Sequence, residues 1–346
     1  MDEMLLEIKH LKSYFFTRKG ISPAVDDVSL QVPKGKIVGI VGESGCGKSM
    51  TAKSVMDLLK YPGRVAGGEI LLEGRDLTKL SEKEKRKVRW EDLSMISQEP
   101  MTSLNPVVKV GKQVREAILN HQKMDKAEAK KRVIEVFRQV GISEPEKRYE
   151  CYPHELSGGL RQRVMIAMAM VCRPKLMIAD EPTTALDVTI EAQILKLIKD
   201  LQKEYNYTIV FITHDLGVVA NIADRVAVLY AGQIIEFANV EELFYDPRHP
   251  YTWALLSSLP QLAERNTKLF SITGTPPSLY NKIIGDPFAP RNQYCLKIDT
   301  LEEPPMFKVT DTHYAKTWLL DPRAPKTEKP EAIQNIHEKL LKAYNL

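Results

Sequence analysis

The stretch Ile37–Ser49, IVGIVGESGCGKS, decides how the chain is read. An apolar run, Ile37 to Val41, leads into Gly42, Glu43, Ser44, Gly45, Cys46, Gly47, Lys48 and Ser49, which carry the spacing G-x-x-x-x-G-K-[ST]. Met50 to Lys60 follows as a plausible helix. Glycines let the backbone curl so that its N–H groups and the helix N-terminus face an anion, while a lysine adds a mobile positive charge. A serine hydroxyl at this place suits Mg2+. The pattern predicts a bound phosphate cradled by Gly42 to Met50, with Ser49 on the metal. Alone, it is also compatible with a glycine turn that binds nothing.

A second stretch argues against that bland alternative. Leu176, Met177, Ile178 and Ala179 form an apolar strand that ends on two carboxylates, Asp180 and Glu181. One carboxylate at a strand end can hold Mg2+ directly or through water, and its neighbour can orient or deprotonate an attacking water. Asp180 is thus the expected metal ligand and Glu181 the expected catalytic residue.

Working outward, short β-rich runs at Ile37–Val41, Leu176–Ala179 and Thr208–Ile212 alternate with helical stretches, the mark of an α/β domain on a mainly parallel sheet. Between residues 101 and 160 strand signals lapse, and Val133, Val136, Phe137 and Val140 recur at helical spacing, which predicts a helical insert. Twelve of the 21 prolines fall after Asp246, so the long regular elements end there and a boundary is expected near residue 247. The predicted organisation is a domain over 1–246 with a small extension over 247–346.

Composition narrows the function classes. Hydrophobic residues at 43% and charged residues at 27% exclude global disorder. The longest apolar run, Val164 to Cys172, is about half of what a bilayer requires, and the N-terminus lacks the basic-then-apolar order of a secretory signal. Both point to the cytosol. Cys46, Cys151, Cys172 and Cys295 have neither zinc nor redox spacing, and a net charge of +4 gives no case for nucleic acid.

The run Leu156-Ser157-Gly158-Gly159, followed by Gln162-Arg163, resembles the signature of the ATP-binding-cassette ATPases. Gln98 in ISQEP, Asp187 in TTALD and His214 in FITHD stand in the order that family has them. The resemblance implies a P-loop NTPase cassette: a RecA-like, mainly parallel core with an antiparallel β part and a helical subdomain at about 101–160. It also implies two cassettes packed head to tail, each ATP lying between one loop and the other chain's Ser157, Gly158, Gly159 and Gln162. Gln98 would help ligate Mg2+, His214 would hydrogen-bond the γ-phosphate and Asp187 would couple the two sites. An aromatic near the N-terminus would stack on adenine, with Phe15 preferred and Tyr14 and Phe16 as neighbouring alternatives.

Arg248-His249-Pro250-Tyr251-Thr252, Leu255 to Pro260, Gly274-Thr275-Pro276-Pro277-Ser278 and Ser97 to Pro106 are similar to the importers of dipeptides and oligopeptides. That likeness implies two membrane permease subunits, an extracellular peptide-binding protein, a second and different ATPase partner, and a peripheral place on the cytoplasmic face of the membrane. Nickel importers share much of this tail and are the alternative. His249 has no second His or Cys at ligand spacing, so a packing role is expected.

Many relatives carry four cysteines in the tail for an iron–sulfur cluster. Asp286, Asn292, Asp299 and Thr317 occupy the corresponding places, so no cluster is expected and Phe288, Tyr294 and Trp318 are expected to hold the tail by packing. After Pro330, Ile333, Ile336, Leu340, Leu341 and Tyr344 predict an amphipathic helix. Cassettes of DNA repair insert long coiled coils, ribosomal ones carry two cassettes, and exporters show a TEVGERG-like stretch where Tyr152-Pro153-His154-Glu155 stands. An inactive nucleotide binder in a mixed pair is the remaining competitor, and Glu181 and His214 weigh against it.

Overall fold

The computed structural model describes residues 3–98, 103–184, 186–259, 272–281 and 283–334. In chain order the strands used below are β1 (Met4–Thr17), β2 (Gly20–Pro33), β3 (Ile37–Val41), β4 (Gly63–Leu72), β5 (Arg75–Asp76), β6 (Leu93–Ile96), β7 (Leu176–Asp180), β8 (Thr208–Thr213), β9 (Arg225–Tyr230), β10 (Gln233–Asn239), β11 (Phe307–Lys308) and β12 (Tyr314–Ala315). The helices are α1 (Lys48–Val55), α2 (Val110–His121), α3 (Lys126–Gln139), α4 (Gly158–Met170), α5 (Val188–Tyr205), α6 (Leu216–Ile222) and α7 (Pro250–Ser257). The chain forms two compact units, one of Met1–Leu6, Gln31–Ile37 and Leu71–Ile212, the other of Glu7–Leu30, Val38–Ile70 and Thr213–Leu346.

In the first unit β6, β7 and β8 run parallel, with Ile96 opposite Ala179 and Asp180 opposite Ile212. Every residue of β7 and β8 is buried, which is why both read as unbroken apolar runs and not as alternating strands. The expected helical insert is present. Its α3 opens on a capping box in which Asp125 accepts from the amides of Ala127 (2.7 Å) and Glu128 (2.9 Å). Val133, Val136, Phe137 and Val140 are all fully buried, as their spacing required.

In the second unit β3 and β9 pair in parallel, Val38–Val41 against Arg225–Val228. A two-residue turn, Ala231 (φ 47°) and Gly232 (φ 82°), sends the chain back as β10, antiparallel to β9. Two successive positive φ angles match the twist of a tight hairpin. Strand β10 then carries β12, and β12 carries β11. In a separate four-stranded sheet β1 lies between β2 and β4, and β5 pairs antiparallel with β4.

Two expectations are corrected. The helix after the glycine loop starts at Lys48 and ends at Val55, short of Lys60. It closes in a Schellman turn: Asp57 takes φ 52°, its amide bonds Ser54 O (3.1 Å), and the amide of Leu58 bonds Lys53 O (2.7 Å). After Pro330 the chain makes a 3-10 turn over Glu331–Ile333, and Gln334 is already extended (ψ 133°), so the expected α-helix does not start there. Ile336, Leu340, Leu341 and Tyr344 lie outside the described residues, as does Pro260.

Candidate nucleotide site

The glycine loop joins buried β3 to α1. Gly42 (φ 152°) and Gly47 (φ 110°) tolerate no side chain: a Cβ would fall 2.2 Å from Leu229 O at the first and 2.5 Å from Ala24 O at the second. Between them Ser44 and Gly45 are exposed, while Cys46 is buried and its thiol pushed up by that burial. Lys48 is only 4% exposed, and its ammonium donates to Gly42 O (2.8 Å) and Glu43 O (3.1 Å). The loop therefore bends its own charge over the space its glycines leave, the arrangement expected of an anion cradle. Ser49 and Met50 are half-buried in the first turn of α1.

Strand β1 is pinned to that helix by Ser13 Oγ and Ser54 Oγ at 2.7 Å. Of its three neighbouring aromatics, Tyr14 donates its hydroxyl to Asp26 (2.6 Å) and Phe16 lies 4.2 Å beneath the Arg64 guanidinium. Phe15 is half-buried with its ring against Gly63, where a Cβ would come within 2.8 Å. His214 follows β8 directly and is exposed. Beyond it, Asp215 caps α6 by accepting from the amide of Gly217 (2.7 Å).

In the first unit Asp180 ends β7, 3% exposed. Glu181 holds φ 48°, a left-handed backbone rare outside glycine, and its amide is fixed on Ile212 O (2.9 Å). Its Oε2 accepts from Gln98 Nε2 (3.1 Å) and from Thr184 Oγ1 (3.1 Å). Thr184 was not singled out in the sequence, although it stands three residues on.

The signature segment starts α4. Ser157 is its N-cap, its hydroxyl accepting from the amide of Leu160 (3.4 Å), and Ser157 and Gly158 are exposed with Gly159 half-buried behind them. Gln162 is buried at 1% exposure, and neither atom of its amide has a hydrogen-bond partner among the described residues. Asp187 caps α5 by accepting from the amide of Ile190 (2.9 Å).

The tail reaches the loop through residues that no motif or spacing connects with it. Arg291, in the turn Ala289–Arg291, makes a two-pronged ion pair with Glu43 (2.6 and 3.0 Å), and Tyr251, on α7, accepts the Glu43 amide on its hydroxyl (2.9 Å). His249 is fully buried, takes the Tyr251 amide on Nδ1 (3.0 Å) and is pushed down to about 3 by burial, so it packs as a neutral ring. Phe288 stands edge-on to Tyr230 and Tyr251, Tyr294 packs on Trp253, and Trp318 packs on Phe307.

Asp286, Asn292, Asp299 and Thr317 are all buried and each accepts a backbone amide, from Phe288 (2.8 Å), Tyr294 (2.9 Å), Leu296 (2.5 Å) and Leu319 (3.3 Å). These oxygen and amide groups do not fit an iron–sulfur cluster, which needs thiolates. Among the described residues no group of three or more His, Cys, Asp or Glu is set to hold a metal, and no helix is long and apolar enough to cross a membrane.

A buried strand, a glycine loop closed by its own lysine and a serine-capped signature helix define a nucleotide-binding cassette of the ABC class. The ABC transporter family model matches residues 25–184, and the model described as "Oligopeptide/dipeptide transporter, C-terminal region" matches residues 235–298. The oligopeptide transport ATP-binding protein OppD of Bacillus subtilis is 57% identical, covering 98% of this chain and 96% of its own length. The dipeptide transport ATP-binding protein DppD of Lactococcus lactis is 52% identical over 96% of this chain and 95% of its own. Among solved structures, the dimeric bacterial ABC cassette MJ0796 superposes with TM-score 0.61 at 27% identity, covering 68% of this chain and 98% of that one. The chain belongs to the oligopeptide/dipeptide transport ATP-binding proteins of the ABC transporter family, ATPases coupled to transport.

Proposed function

We propose that this chain binds and hydrolyses ATP to drive uptake of oligopeptides or dipeptides through two membrane permease subunits. The observation that carries the proposal is the phosphate loop, with Lys48 folded over Gly42 O and Glu43 O. Lys48 and the loop amides hold the phosphates, Phe15 stacks on adenine, and Glu181 orients and deprotonates the attacking water while His214 bonds the γ-phosphate. The strained backbone at Glu181 and the donors Gln98 and Thr184 on its Oε2 support that assignment, because they hold the carboxylate in one orientation.

Ser49, Asp180 and Gln98 supply hard oxygen donors with a single carboxylate, a set that suits Mg2+ completed by phosphate oxygens and water. Bound there, Mg2+ would neutralise developing phosphate charge. Exposed Ser157 and Gly158, with Gly159, serve the nucleotide on a second ATPase, Gln162 supports that segment from beneath, and Asp187 couples the two sites. The second ATPase is a different chain, and an extracellular peptide-binding protein completes the complex on the cytoplasmic face of the membrane. The cassette over 1–246 carries the chemistry and 247–346 docks on it, without an iron–sulfur cluster.

Uptake of labelled oligopeptides and of nickel by cells whose native copy is replaced by the Glu181→Gln form tests the reading. Loss of peptide uptake alone supports it. Unchanged uptake of both solutes at normal expression overturns it, and loss of nickel uptake alone transfers the chain to metal import.

A further inference from the structure

Several polar contacts converge on Glu43 in the phosphate loop. Its carbonyl accepts from Lys48 Nζ (3.1 Å) and from the Cys46 amide (3.3 Å), its amide donates to Tyr251 Oη (2.9 Å), and its carboxylate takes both prongs of Arg291. Arg291 is held in turn: its Nε donates to Thr273 O (3.0 Å) and it donates to Tyr230 Oη (3.2 Å). Its side chain is 4% exposed and that of Glu43 27%. Tyr251 and Tyr230 are buried, tilted against one another and packed edge-on with Phe288. Residues separated by 248 positions in sequence thus form one rigid fixture.

Such a fixture matters at a phosphate site for two reasons. A bare carboxylate on the loop would repel a polyphosphate, and a forked guanidinium cancels that charge where it stands. The Glu43 carbonyl, like that of Gly42, also accepts from the Lys48 ammonium, so whatever fixes Glu43 helps fix the lysine. The alternative, a merely structural pair, would leave nucleotide affinity indifferent to the charge on Glu43 once Arg291 is gone.

We infer that the C-terminal extension is part of the nucleotide site: Arg291, helped by Tyr251, is a positioning residue that neutralises Glu43 and sets the phosphate loop for a polyphosphate. This rests on the proposed reading of the loop as an ATP site. The extension then tunes nucleotide affinity from within the same chain, beyond any part in subunit contact.

The test is titration of a fluorescent ATP analogue with Mg2+ into the purified full-length chain and its Arg291→Ala, Arg291→Lys, Glu43→Gln, Arg291→Ala/Glu43→Gln and Lys48→Ala forms, each checked by thermal melting. Arg291→Ala is expected to weaken binding about tenfold, the size of an uncompensated charge near the site. Arg291→Lys, which keeps charge without the fork, should fall between, and adding Glu43→Gln to Arg291→Ala should recover at least about threefold. If Arg291→Ala does not fold, Arg291→Lys decides, with an expected weakening of about threefold. Loss of binding in Lys48→Ala with wild-type affinity in the Arg291 variants, or no recovery in the double variant, overturns the inference while leaving the ATP reading intact. Equal binding by wild type and Lys48→Ala overturns the ATP reading itself.

Discussion

Gln98 Nε2 lies 3.1 Å from Glu181 Oε2, so the carboxylate expected to handle the attacking water is tied to a residue from a different strand end of the same parallel layer. That bond and the one from Thr184, both from uncharged donors, orient the carboxylate. Glu181→Gln keeps the shape and loses the carboxylate proposed as the base. Its phosphate release, assayed in the assembled transporter, is expected to fall by about 10²–10⁴-fold with nucleotide binding retained. A variant that hydrolyses at the wild-type rate would remove Glu181 from the chemistry.

Gln98→Ala removes a donor to the Glu181 carboxylate and leaves the carboxylate itself. A smaller loss is expected, on the order of tenfold in turnover, read by the same phosphate assay beside Glu181→Gln. A larger loss than Glu181→Gln would mean that Gln98, not Glu181, carries the decisive step.

Gly47 holds φ 110° and has a backbone oxygen 2.5 Å from where a Cβ would sit. Gly47→Ala must either distort the loop or push β2 aside. Nucleotide binding is expected to vanish in a titration while the melting temperature drops by the equivalent of roughly 2 kcal/mol. Binding at wild-type affinity would show the loop to be more plastic than its φ angle implies.

Burial pushes the carboxyl of Asp286 up to about 7, with Asp299 and Glu303 adding to the rise while the Phe288 amide and Lys316 oppose it. Its folded value lies above the unfolded one, so folding takes up a proton. The stability this contributes is complete below about pH 4 and is lost as pH rises through about 7. Asp286→Asn keeps an acceptor for the Phe288 amide and cannot ionise. Relative to wild type its melting temperature should climb from pH 5 to pH 8, with a ceiling of about 4 kcal/mol. A flat difference across that range would show Asp286 to be ionised throughout.

Phe288 is 2% exposed between Tyr230 and Tyr251. Phe288→Ala should cost about 3 kcal/mol or more, seen as a lowered midpoint in chemical denaturation. A loss under 1 kcal/mol would mean that the tail packs chiefly by other contacts.

The parallel core was legible because strands buried on both faces leave continuous apolar runs, as at Leu176–Ala179 and Thr208–Ile212. The phosphate loop was legible because its glycines answer a steric need that only glycine meets. The end of α1 was not, since Asp57 adopts a left-handed turn that asparagine or glycine would have advertised and aspartate does not. The pairing of Arg291 with Glu43 was invisible, because no period or motif links a proline-rich turn to a loop so far away in sequence. Tyr251 lay within a recognised stretch, yet its hydroxyl's partner emerges only when α7 is folded beside the loop.

Glu236 on β10 is fully buried, and its carboxylate accepts the amides of Arg248 (2.6 Å) and His249 (3.0 Å) together with His313 Nε2 (2.8 Å). One side chain therefore serves as keystone for two stretches of tail more than sixty residues apart in sequence. Chimaeras that graft the tail of one peptide-importer ATPase onto the cassette of another will be viable only when the counterparts of Glu43 and Glu236 travel with the residues they grip. Modularity in this chain is then a property of matched pairs, not of a cut point.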